Sequence, residues 1–274
     1  MKNLMKFLII LITVLVIHGN TVKADDFTDA MLDAKENLQT ALNKTDKSEA
    51  LKVRGQFERI LQLKQDEWLV NYYIAFCDYI IAISEMSGGS ELTDEAKKNL
   101  QSYTESGLET IDNVIQKKSD FSDAYVLKKF LNFNRWSYEQ QKMNDIIDAD
   151  LQIDAKAREY GENNPRYYLV NGIAAYWTPA AFGGGTGKAI DLLDKSENLF
   201  STTKPSNELY PDWGQDWAIG YKVLALLKRD DDGDVEKAKQ LLDEGMKKFP
   251  ESGFLSYYAK GEYDKSTSSS TDSK

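Results

Sequence analysis

The sequence predicts an all-α protein, an α-α superhelix of about five helix pairs. Three observations lead there. Apolar residues recur at the three- and four-residue spacing of amphipathic helices along most of the chain. Strand-like alternation is weak. The breaks between pairs are alike: Gln65-Asp66-Glu67, Ser119-Asp120, Asn163-Asn164-Pro165, Tyr210-Pro211-Asp212 and Phe249-Pro250, about 40 to 55 residues apart from Asp66 on. Proline stops a helix because it lacks the N–H and its ring clashes with the preceding turn.

Read in order, the pairs fall at 26–43 with 47–64, 67–85 with 93–118, 121–138 with 143–160, 165–178 with 186–201, and 213–228 with 234–248. A short closing helix is expected over 251–262. The helical domain is therefore expected over 25–262. The remainder, 263–274, is Ser/Thr/Asp/Lys-rich and is expected to be disordered.

The first 24 residues read as a cleaved signal peptide. Lys2 and Lys6 precede an apolar run from Phe7 to Ile17, and Val22 and Ala24 supply the small residues before a cut. That run is shorter than the roughly 20 residues a membrane span needs. No cysteine follows it closely, so a lipid anchor is not expected. The expected product is periplasmic or secreted, with no membrane insertion after cleavage. Removing Lys2, Lys6 and Lys23, with no acid among these residues, takes the formal net charge from −10 to −13. An acidic surface disfavours nucleic acid as a partner, since phosphate recognition needs a basic face.

Beyond the leader one cysteine, Cys77, and no histidine remain, because His18 lies in the leader. Internal disulfides, histidine-based triads and Cys/His zinc sites are therefore excluded. Cys77 sits in the apolar stretch Tyr72 to Ile83 and reads as a core thiol.

One internal repeat is direct. Gly184 to Phe200 matches Gly233 to Phe249 without a gap, with seven identities. Ala189/Ala238, Leu192/Leu241, Leu193/Leu242, Ser196/Gly245 and Phe200/Phe249 share one helix face. Their small residues let a neighbouring helix approach, so the pairs must stack. Here the chain resembles tetratricopeptide-like proteins through its Lys-Ala-x-x-Leu-Leu second helices and the closing Phe249-Pro250. Residues 163–214 are similar to a group of exported tetratricopeptide-like proteins of Gram-negative bacteria. The residues are Asn164-Pro165-Arg166-x-Tyr168, Tyr176-x-Thr178-Pro179, Phe182-Gly183-Gly184-Gly185 and Pro211-x-Trp213-Gly214. The resemblance implies an interaction role and no activity. The longer repeats depart from the 34-residue unit.

Motifs that resemble chemistry fail on inspection. Phe182 to Ala189 has a phosphate-loop look, but Phe182 stands at the first glycine position and Ala189 where magnesium needs a hydroxyl. The glycines read as a turn between helices, with Pro179, Gly183, Gly184 and Gly185 as its structural residues. The turn is longer than the connection needs, which is a hint of binding. Lys228 to Asp234 has the acids of a calcium loop, but Lys228 and Lys239 would occupy ligand positions. No catalytic residue, metal or cofactor is assigned, and the protein is not expected to be an enzyme. The aromatics gathered in the first helices of pairs read mostly as core.

The resemblance implies that first helices line a concave face. Polar residues spaced by seven lie on them: Asn71 and Asp78, Lys128 and Arg135 with Asn132 between, Asn171 and Thr178, and Gln215 and Lys222. Seven residues is nearly two turns, so each pair shares a face. These are expected to face water in one groove. The function expected is a scaffold or adaptor gripping a protein or peptide segment there. The alternative is a small-molecule-binding accessory protein of an envelope transport system. One deep aromatic pocket would favour the second, an open groove along several pairs the first.

Overall fold

A computed structural model describes residues 24–86 and 92–269. The leader expected over 1–24 lies outside these residues apart from Ala24, and so does the tail from Ser270. Among the described residues there is no strand. The helices are α1 (Ala24–Lys44), α2 (Lys47–Leu61), α3 (Glu67–Ser84), α4 (Asp94–Lys117), α5 (Ser122–Asn134), α6 (Met143–Tyr160), α7 (Pro165–Trp177), α8 (Thr186–Thr202), α9 (Gln215–Arg229), α10 (Asp234–Lys248) and α11 (Lys260–Ser269). No helix among them is long and apolar enough to cross a membrane.

Local chemistry sets the starts. Asp46 accepts from the backbone N–H of Ser48 and Glu49, and Thr93 from that of Ala96. Asn164 accepts from the N–H of Arg166, with Pro165 at the first helical position, where its missing N–H costs nothing.

Two boundaries differ from expectation. The helix expected over 121–138 ends at Asn134 and tightens into a 3-10 turn, Arg135–Ser137. The closing element is a π-helical stretch, Phe254–Ala259, running straight into α11, so residues 263–269 are helical where disorder was expected. Composition missed the anchor: Tyr263 packs on the cluster of Val223, Leu255 and Ala259. The hydroxyls of Ser266 and Thr267 also donate to the Tyr263 carbonyl.

The pairs stack in two layers. The first helices α1, α3, α5, α7 and α9 pack successively on one another. The second helices pack outside them, the arrangement of an α-α superhelix. Its interior is filled. The Phe76 ring of α3 lies 4.6 Å from Trp213, and Tyr79 lies 6.5 Å from Trp217 on α9. Residues 203–214 strap across this space. The Tyr73 hydroxyl donates to the Leu209 carbonyl (2.6 Å), and Trp213 Nε1 donates to the Tyr72 hydroxyl (3.1 Å). Lys35 Nζ on α1 donates to the carbonyls of Glu208 and Tyr210. Where an open groove was expected, α3 and α9 face each other across packed aromatic rings.

Candidate functional site

Stacking is interrupted at one place. The second helices α2, α4 and α8 each pack on the first helix that follows, but α6 makes no comparable contact with α7. The gap is a cavity of about 850 Å³ between α5, α6 and α7. From α5 it receives Phe130 and Phe133, and from the 3-10 turn that follows, Trp136. Met143, Ile146, Ile147 and Leu151 come from α6, and Val170, Ile173, Ala174 and Trp177 from α7. Each set repeats at helical spacing, so each is one face of its helix. Pro179 and Phe182 close one end.

The lining is apolar and open to solvent. Phe133, Met143, Ile147, Leu151, Trp177 and Phe182 are all exposed, Leu151 at 63% and Phe182 at 81%. These six are more than half of the large exposed hydrophobics among the described residues. Single exposed apolar residues need no explanation, but a concentration in one concavity marks a binding surface.

Phe182 is held at the rim by the glycine turn. Gly183 and Gly185 have φ of +84° and +100°, the left-handed region that favours glycine. Gly184 does not, but a Cβ there would lie 2.1 Å from the Thr178 carbonyl oxygen. The N–H of Gly185 donates to the carbonyls of Ala175 and Thr178, folding the turn onto the end of α7. Lys188 Nζ donates to the Gly183 carbonyl.

Charge enters at one corner. Lys129 is buried, and its Nζ meets Asp154 Oδ1 at 2.7 Å and Asp150 Oδ2 at 3.1 Å. Lys129 and Asp150 line the cavity; Asp154 stands behind them. Burial pushes the Asp150 carboxyl above its usual range, Lys129 opposes this, and Asp154 adds to it. Met143 is the only sulfur side chain in the lining. Among the described residues no group of His, Cys, Asp and Glu could hold a metal ion. A second cavity, of about 560 Å³, lies at the starts of α5, α7 and α9. There Arg166 is already bound by Asp123 (Nε to Oδ1, 2.6 Å; Nη2 to Oδ2, 3.2 Å).

Two solved structures share this architecture. The HusA haemophore from Porphyromonas gingivalis matches with a TM-score of 0.62 and 21% identity, over 78% of this chain and 98% of that one. TTC0263, a thermophilic TPR protein of Thermus thermophilus, matches with a TM-score of 0.50 and 13% identity, over 85% of this chain and 98% of that one. No family model and no curated protein matches. At these identities the likeness carries the fold, a tetratricopeptide-like superhelix.

The seven-spaced polar residues do not gather in one groove. Asp78 is fully buried, where it accepts from Arg54 Nε (2.6 Å) on α2 and Ser106 Oγ (2.8 Å) on α4. Lys128 pairs with Asp112 on α4, and Lys222 with Asp194 and Glu197 on α8. These three join neighbouring helices. Asn71 and Asn171 donate to carbonyls four residues back in their own helices. Arg135 binds Glu139 and Asn132, and Gln215 lines the second cavity. Only Asn132 and Thr178 reach the apolar cavity, and buried Asn132 donates to the Ile146 carbonyl (3.0 Å). Being amphipathic, first helices use their polar residues to staple neighbours.

Sequence reasoning missed the exposed apolar lining because it assigned aromatics to the core. One signal was present. α6 carries Met143, Ile147 and Leu151 at four-residue spacing, besides the stripe of Ile146, Ile153 and Ala157 that it buries. A second-layer helix needs one such stripe, not two.

Proposed function

We propose that the protein is an exported helical-repeat carrier that holds a large, flat, mainly apolar molecule of the porphyrin class between α5, α6 and α7. The observation that carries this reading is the sparse α6–α7 packing, with large apolar side chains left open in the gap. An aromatic concavity confined to three helices favours small-molecule capture over a groove for an extended peptide. The haemophore in the comparison supports the ligand class, since a protein named for carrying haem has the same fold.

The donor set shapes the expected mode of holding. No histidine lies beyond His18, Cys77 is buried in α3, and the lining offers an iron only the thioether of Met143, a weak ligand when it stands alone. The ligand is therefore gripped by its faces and apolar edges, with Trp136 and Trp177 placed to stack on it. Iron-free protoporphyrin and haem should then bind with affinities of the same order.

Titration followed by tryptophan fluorescence tests this. Saturable quenching by both ligands is expected, and Trp177→Ala should weaken both about tenfold, from lost stacking and burial. Trp177 is half exposed, so helicity should be unchanged. Absence of saturable binding, or equal binding by Trp177→Ala and Leu151→Arg, would overturn the reading. The adaptor reading would then stand, with the same exposed patch docking an apolar protein segment.

A further inference from the structure

The cavity is not uniformly apolar, and the exception is directional. Lys129 and Val170 lie near the middles of α5 and α7, whereas Trp136, Trp177 and Phe182 lie at or just beyond their ends. Seven residues separate Lys129 from Trp136, about 10 Å of helix. One end is thus aromatic and the other holds the only charged residues in the lining, Lys129 and Asp150. Lys129 is shared by two carboxylates, Asp150 and Asp154, so the corner carries one negative charge in excess. No other cation lines the cavity to offset it. An ionised group brought against an apolar lining loses part of its hydration and favours an opposite partner, and a like charge a few ångströms away repels it.

Resting on the ligand reading above, we propose that the Lys129–Asp150 pair, backed by Asp154, is a charge filter that sets which porphyrins fit and which way round they lie. The edge that meets the filter carries no anion. Acid arms are accepted only where they project through the open mouth into water. The ligand class is therefore a macrocycle with its carboxylates on one edge, and macrocycles with acid arms on every side are disfavoured.

Two porphyrins, each kept monomeric by dilution, separate these cases. Protoporphyrin has two acid arms on one edge, and coproporphyrin has four, one on each pyrrole. The measurement is the ratio of their dissociation constants for wild type, Asp150→Asn and Lys129→Met, by fluorescence titration. Wild type should favour protoporphyrin. Asp150→Asn removes the excess charge and should narrow the ratio roughly tenfold. Lys129→Met leaves two carboxylates without their cation and should widen it. Circular dichroism checks that each variant is helical, and the opposite signs separate charge from general damage. If protoporphyrin binds all three proteins and the ratio does not move, the filter is wrong while the carrier reading survives. If no porphyrin binds wild type, the carrier reading fails and the filter falls with it.

Discussion

Gly184 and its neighbours Gly183 and Gly185 are glycine for different reasons. Gly183 and Gly185 adopt positive φ; Gly184 has no room, with the Thr178 carbonyl oxygen where a Cβ would go. Gly184→Val should cost about 1–3 kcal/mol through forced backbone shifts. Gly183→Ala, with nothing near it, should cost only about 1–2 kcal/mol of left-handed strain. Lys188→Ala should leave stability near wild type, since this exposed lysine reaches one carbonyl. Urea unfolding midpoints check all three, and a smaller loss at 184 than at 183 would refute the distinction. Asp216 gives a pH dependence. It is buried near the start of α9, with only the Ser252 hydroxyl (2.6 Å) as side-chain partner. Burial raises its carboxyl above the usual value, outweighing Ser252 and the backbone N–H of Trp217. A raised folded value means that the fold favours the protonated form. That stability is complete below the unfolded value, about 3.9, and is lost as pH rises through the folded value. Asp216→Asn cannot ionise, so it should gain on wild type as pH goes from about 4 to 7. Urea midpoints across that range test the sign.

At the scale of elements, the strap of residues 203–214 matters more than its lack of helix suggests. It carries Trp213 between Phe76 (4.6 Å) and Trp217 (6.0 Å) and offers the Leu209 carbonyl to Tyr73. Tyr73→Phe leaves that buried carbonyl without its donor and should cost about 1–3 kcal/mol. Trp213→Ala removes a buried ring and should cost about 3–5 kcal/mol. Denaturant unfolding measures both, and a Trp213→Ala effect under about 1 kcal/mol would mean the strap merely covers the interior.

For the whole molecule, the strap links α1 and α3 to the end of the superhelix. A repeat array coupled only between neighbours loses cooperativity readily. Wild type should therefore unfold in one transition by near- and far-ultraviolet circular dichroism, and Trp213→Ala in transitions that no longer coincide. Resting on the carrier reading, a ligand in the α6–α7 gap supplies packing that the chain leaves out. Protoporphyrin at about 100 times its dissociation constant should stabilise the protein by about 2.7 kcal/mol. Thermal unfolding should register this, and Leu151→Arg should abolish the shift at the same concentration.

The sequence by itself determined the helices and their pairing. Apolar spacing, the Asn164-Pro165 start and the repeated Gly184 and Gly233 segments are local signals, and helix formation is a local matter of spacing and caps. The helical stretch 263–269 was less legible, because its anchor, Tyr263, packs on α9, far away in sequence. Only the tertiary structure decided where the polar and apolar faces went. Asp78 and Lys222 have the spacing of a water-facing row, yet they bond to neighbouring helices, because a polar side chain goes to whichever partner the stacking brings. Phe133, Leu151 and Trp177 have the spacing of a core, yet they stand open, because α6 packs only sparsely on α7. A side chain's hydrophobicity is written in one residue, but its burial depends on whether a distant helix arrives to cover it.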